Sequence, residues 1–168
     1  WIDFIDREML TKKHLDRMIK EDGLRGLTSN PSIFEKAILS TTDYDTDLRN
    51  AAIQNPQGSS QDWFEQIAID DIQKASDSLM EVYTSSNQSD GYVSLEVSPL
   101  LAKDTDKTIE EARRLWHSVN RPNLMIKIPA TDEGFPAIEK LLSESININV
   151  TLIFSLEQYE KTVHSYLR

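Results

Sequence analysis

A single lysine interrupts the apolar run Leu124-Met125-Ile126-Lys127-Ile128-Pro129, which the polar turn Ala130-Thr131-Asp132-Glu133-Gly134 closes. Such a run reads as a buried strand ending in a loop. Alternate side chains on a strand face opposite ways, so Lys127 shares a face with Met125, while Leu124, Ile126 and Ile128 share the other. With the aliphatic face packed on helices, Lys127 points to the centre of a sheet or barrel. An ammonium there is costly unless it is paired or loses its proton. Without the proton it is a nucleophilic amine. The plain alternative is a lysine that snorkels to solvent or pairs with a nearby carboxylate.

The elements that must position this lysine alternate along the chain. Trp1 to Ile5 reads as a strand, with Ile2 and Phe4 on one face and Asp3 on the other. A helix follows over Thr11 to Lys20, with Leu15, Met18 and Ile19 inward and Gly23 as its stop. Gly26 to Thr28 is a very short strand running into Ser29-Asn30-Pro31-Ser32, and Ser32 with Glu35 fits a capping box for the next helix. Asp43 to Tyr83 is helical, broken at Gln54-Asn55-Pro56-Gln57-Gly58, with Trp63, Ile67, Ile72, Ala75 and Leu79 as a buried stripe.

Tyr92-Val93-Ser94-Leu95-Glu96-Val97 then alternates as a strand, followed by an amphipathic helix over 104–120 with Ile109, Ala112, Leu115, Trp116 and Val119 inward. After the lysine strand, Phe135, Ile138, Leu141 and Leu142 mark another helix. Asn149 to Phe154 alternates again, and Ser155 with Gln158 caps a last helix carrying Leu156, Tyr159 and Val163.

Five strands, near 1–5, 26–28, 92–97, 124–128 and 149–154, separated by helices predict an α/β fold with a parallel sheet. Four of the five have one apolar and one polar face, whereas a doubly wound sheet favours near-continuous apolar runs. A barrel with a chemically active inner face accounts for Asp3, Glu96, Lys127, Asn149 and Thr151 on the polar faces.

The 168 residues suffice for a sizeable core in one domain, and 28 acidic against 18 basic residues give a net charge of −10. With no Lys/Arg cluster to track a phosphate backbone, nucleic acid is not an expected partner. There is no cysteine, and His14, His117 and His164 are too scattered to suggest a metal centre. No apolar run is long enough to span a membrane, and no signal peptide is visible, so a cytosolic location is the expectation.

Two stretches resemble the transaldolase family, in its longer bacterial form: Gly26-Leu27-Thr28-Ser29-Asn30-Pro31-Ser32-Ile33-Phe34 is similar to its first signature, and Leu124-Met125-Ile126-Lys127-Ile128-Pro129-Ala130-Thr131 to its second. Asp3 in Trp-Ile-Asp-Phe-Ile, Glu96 in Ser-Leu-Glu-Val-Ser-Pro and Thr151 in Asn-Val-Thr-Leu-Ile-Phe-Ser agree in order and type. The resemblance covers the whole chain. It implies a (β/α)₈ barrel enzyme of the pentose phosphate pathway that moves a dihydroxyacetone unit from a ketose phosphate to an aldose phosphate without cofactor or metal. Sedoheptulose 7-phosphate or fructose 6-phosphate would be the donor, and glyceraldehyde 3-phosphate or erythrose 4-phosphate the acceptor.

By that resemblance Lys127 forms the Schiff base, Asp3 takes the proton of the hydroxyl beyond the breaking bond, and Glu96 shuttles protons through a water held by Thr151. Asn30 and Asn149 match positions that bind substrate hydroxyls, with Ser94 and Thr28 as supporting contacts. The residues themselves leave alternatives open. Asn30 before Pro31 could merely shape the turn, Thr151 is a favoured strand residue, and Glu96 could serve only as the ion partner of Lys127.

Eight strands are required and five are visible, so the chain is expected to be a partial barrel forming a single domain over 1–168, lacking the positions that grip the substrate phosphate. An open edge and uncovered apolar surface are expected, and with them either low activity of the isolated segment or pairing with another copy. Longer relatives can carry a fused sugar-phosphate isomerase. A fructose 6-phosphate aldolase-type enzyme releasing dihydroxyacetone, or a non-catalytic sugar-phosphate-binding segment, would share much of this pattern.

Overall fold

The computed structural model describes residues 1–168. Five strands, β1 (Ile2–Asp3), β2 (Gly26–Thr28), β3 (Tyr92–Glu96), β4 (Leu124–Pro129) and β5 (Ile148–Thr151), form one sheet in the order β1-β2-β3-β4-β5. Pairing is parallel at β1–β2 and at β4–β5. Helices separate them: α1 (Arg7–Thr11), α2 (His14–Lys20), α3 (Pro31–Ser40), α4 (Asp45–Gln54), α5 (Ser60–Ser85), α6 (Thr105–Val119), α7 (Gly134–Ser143) and α8 (Leu156–Leu167). An α/β chain whose strands follow their sequence order in a parallel sheet is consistent with part of a (β/α)₈ barrel. No helix is long and apolar enough to cross a membrane.

Contacts gather the chain into two units, one of residues 1–93 with 121–123, the other of 94–120 with 124–168. In the first, the 26-residue α5 is the main support, opened by a reciprocal capping box between Ser59 and Asp62. Its stripe of Ile67, Ile72, Ala75 and Leu79 is buried as its spacing predicts, and Trp63 is half-buried. Gly26 carries a close approach: a Cβ there would meet the Trp1 indole at 2.3 Å. Fully buried Asn123 donates from Nδ2 to the carbonyls of Ser76 and Gly91, at 2.9 Å each, tying the end of one crossover to the start of β3.

Three local expectations are corrected in this unit. The helix expected over 11–20 is two helices, because Lys13 takes φ 58° and ends α1 before α2 begins. The first strand is shorter than 1–5, ending at Asp3, since Asp6 caps α1 by accepting from Met9 N at 2.7 Å. Helix α3 starts at Pro31, not after Ser32; Asn30 is its cap, accepting from Ile33 N at 3.0 Å. Proline at the first helical position suits this start, since its missing N–H would have no partner there.

In the second unit the lysine strand is buried as predicted. Leu124, Ile126 and Ile128 are fully shielded, each worth about 2 kcal/mol of burial. Ala112, Leu115 and Val119 of α6 and Phe135, Ile138 and Leu141 of α7 are buried, while Ile109, Trp116 and Leu142 are half-buried. The expected strand through Phe154 stops at Thr151, because Leu152 turns to φ 62°. Ser155 does cap α8, accepting from Gln158 N at 3.1 Å.

Leu156, Tyr159 and Val163, the apolar residues of α8, are all exposed. That helix docks by polar contacts instead. Gln158 Nε2 donates to the Ala130 carbonyl at 2.9 Å, Lys161 pairs with Asp132 at 2.8 Å, and the buried residue of the helix is Ser165. Phe154 is 83% exposed before α8, and Tyr166 and Leu167 are exposed at its far end.

Candidate active site

Lys127 is central to the second unit. β4 holds it because the flanking isoleucines bury the strand's other face, and parallel pairing with β5 fixes its depth. Its side chain is shielded, with the residue only 8% exposed, and Nζ lies 3.5 Å from Glu96 Oε2. That separation is an ion-pair distance, beyond a good hydrogen bond. The backbone supports the same pairing, since Val97 N donates to the Lys127 carbonyl at 3.2 Å. The amine is therefore held beside one carboxylate at the end of the preceding strand.

Asn149 lies in register with Lys127, and Thr151 with Pro129. In-register residues on neighbouring strands project to the same side, so Lys127 and Asn149 share a face. Asn149 Nδ2 donates to Ser94 Oγ at 2.9 Å, and Ser94 is completely buried two residues before Glu96 on the same side of β3. The amide is thereby oriented, leaving its carbonyl end for another donor. Thr151 is half-buried at the end of β5, two residues beyond Asn149, immediately before the backbone reverses at Leu152. Thus Ser94, Glu96, Lys127, Asn149 and Thr151 lie on one side of three consecutive strands.

Gly134 shapes the loop after β4. A Cβ on it would meet the Pro129 carbonyl oxygen at 2.2 Å, so no larger residue fits without moving backbone. Thr131 fastens the same loop, donating from Oγ1 to the Ala102 carbonyl at 2.8 Å and accepting from Gly134 N at 3.0 Å.

In the first unit Asp3 is exposed at the end of β1, in register with Thr28 on β2. Thr28 Oγ1 donates to Asp3 Oδ1 at 2.5 Å, a charge-assisted geometry that leaves the second carboxylate oxygen available. Asn30 is two residues beyond Thr28. Its oxygen is committed to capping α3, so only the amide N–H groups remain for a ligand.

A further charged group, four residues after Asp3 in the chain, is Arg7, which the spacing of charges does not single out. It is buried, with Nη1 against Asp47 Oδ2, Nε 2.9 Å from Asp71 Oδ1 and its guanidinium 4.8 Å from the Tyr44 ring centroid. Asp71 is 0% exposed and also has Lys74 at 3.5 Å. Burial pushes the Asp71 carboxyl up, opposed by Arg7 and Lys74. The only signal in the sequence is an Arg one turn beyond a strand-end aspartate, which is weak.

Residues 1–165 match the family described as transaldolase/fructose-6-phosphate aldolase. Among curated relatives, the chain is 45% identical over 168 residues to a protein of Thiobacillus denitrificans named transaldolase, covering 100% of this chain and 46% of that one. It is 46% identical over 167 residues to the transaldolase of Trichodesmium erythraeum, covering 99% and 43%. For the transaldolase of Thermobifida fusca the identity is 47% over 167 residues, covering 99% and 45%. The chain thus spans less than half the length of these relatives. On this match over nearly all its residues, the chain belongs to the transaldolase/fructose-6-phosphate aldolase family.

Proposed function

We propose that the protein at its full length is a transaldolase, transferring a dihydroxyacetone unit between sugar phosphates through an imine on Lys127. The observation that carries this reading is a shielded lysine 3.5 Å from Glu96, with Asn149 in register beside it. The carbohydrate-phosphate substrates, the place in the pentose phosphate pathway and a cytosolic setting belong to the same reading.

The chemistry runs as follows. The neutral Lys127 amine attacks the ketone carbon of the donor, and the carbinolamine loses water to give a protonated imine. Glu96 supplies and recovers the proton for that dehydration, with Thr151 holding the water it works through. Asp3 then takes the proton of the hydroxyl on the carbon beyond the breaking bond. The carbon–carbon bond breaks, its electron pair moves into the iminium to form an enamine, and the shortened aldose leaves. Asn149, oriented by Ser94, and Asn30, through its amide N–H groups, hold the substrate hydroxyls, with Thr28 supporting Asp3. The enamine carbon attacks the acceptor aldehyde, Asp3 returns its proton to the new alkoxide, and water releases the product from Lys127.

Acceptor dependence tests the transfer. With fructose 6-phosphate as donor, turnover should rise at least about tenfold on adding an aldose phosphate. Equal rates with free dihydroxyacetone as product would favour an aldolase of the same family instead.

A further inference from the structure

We propose, resting on the reading of Asp3 as the base, that Arg7 is a positioning residue for that carboxylate: its pairing with Asp47 on α4 and Asp71 on α5 fixes the β1–α1 link. Only Phe4, Ile5 and Asp6 separate Asp3 from Arg7, the first residue of α1. That link has little slack. Ile5 is completely buried, and the Asp6 side chain is spent on capping Met9 N.

Helix α1 has five residues, too few to hold itself in place by its own hydrogen bonds. Its position is set by what Arg7 and Met9 bury against. Met9 contributes apolar contact without direction. Arg7 contributes direction, because a planar guanidinium set between two carboxylates at ion-pair distance and stacked near the Tyr44 ring has a restricted orientation, although its Nε and Nη2 make no hydrogen bond. Asp71 is carried by the 26-residue α5, a rigid platform for a link that ends at the proposed base. From its other side Asp3 is held by Thr28. A displacement of about 1 Å at a reacting group can cost about a hundredfold in rate, so a loosened link should be read in kcat.

The test uses the protein at full length, with fructose 6-phosphate as donor, an aldose phosphate as acceptor, and borohydride to trap the Lys127 imine. Arg7→Met together with Asp71→Leu replaces the buried ion pair by apolar packing, which commonly preserves folding. The double variant should lose about tenfold in kcat with KM within about twofold. Its trapped adduct should shift from the three-carbon unit to the intact sugar, because the imine still forms while cleavage is slowed. Arg7→Lys should recover part of the rate.

Asp47→Asn, at a partly exposed position, decides the matter if the double variant fails to fold; about a threefold kcat loss with unchanged KM is expected. A folded double variant with unaltered kcat and three-carbon adduct, or equal losses of trapping and cleavage, overturns the assignment, as does Asp47→Asn with the original kcat when it is the deciding variant. Asp3→Asn separates the two levels. If it cleaves normally, the base reading itself fails; if it blocks cleavage while the Arg7 variants do not, only the role of Arg7 fails.

Discussion

Lys127 Nζ and Glu96 Oε2 lie 3.5 Å apart on neighbouring strands, both largely shielded from solvent. A shielded ammonium is tolerated beside one carboxylate, and at 3.5 Å that carboxylate would exchange a proton with the amine only through a bridging water, as proposed. One geometry therefore fits both an ion partner and the proposed proton relay.

Glu96→Gln separates them. If Glu96 relays protons, the variant forms the imine about a hundredfold more slowly in single-turnover trapping with borohydride. An unchanged trapping rate would leave Glu96 as an ion partner only.

The backbone after β5 carries strain that a smaller residue should relieve. Leu152 has φ 62° and is 53% exposed, so its side chain offers little packing in return. Leu152→Gly should raise unfolding free energy by about 1 kcal/mol in urea titrations, and Leu152→Val should lower it. A lower midpoint for the glycine variant would mean that the exposed leucine packs in solution.

Glu144 ties α7 to α6. It accepts from Arg113 Nε at 2.8 Å and Nη2 at 2.5 Å, with Lys140 at 3.0 Å, and these partners hold its carboxyl down to about 2 from the ordinary 4.5. The folded value lies below the unfolded one, so this stabilisation is complete above pH 4.5 and is lost as pH falls through about 2. Between those values the native protein should lose stability more steeply than Glu144→Gln, read from denaturant midpoints against pH. Parallel curves would remove Glu144 from the acid response.

The lysine strand was legible because a charge inside an apolar run is rare and proline marks its end. Asn149 and Ser94 were legible as polar strand positions, but their hydrogen bond joins residues 55 apart, which no local pattern encodes. Asn30, not Ser32, caps α3, since Pro31 starts the helix two residues earlier than a Ser32 cap would. Lys13 gives no local sign of its positive φ. The Arg7 cluster draws on residues 7, 47 and 71, each an ordinary surface charge until three helices converge. The docking of α8 was not legible, because it runs through Gln158, Lys161 and Ser165, polar residues that apolar periodicity does not mark.

The most direct test of the central claim is to treat the full-length protein with fructose 6-phosphate and borohydride, digest it, and locate the adduct by peptide mass. A reduced sugar adduct on Lys127, absent from Lys127→Met, is the predicted result. An adduct on another lysine, or none while transfer proceeds normally, would contradict it.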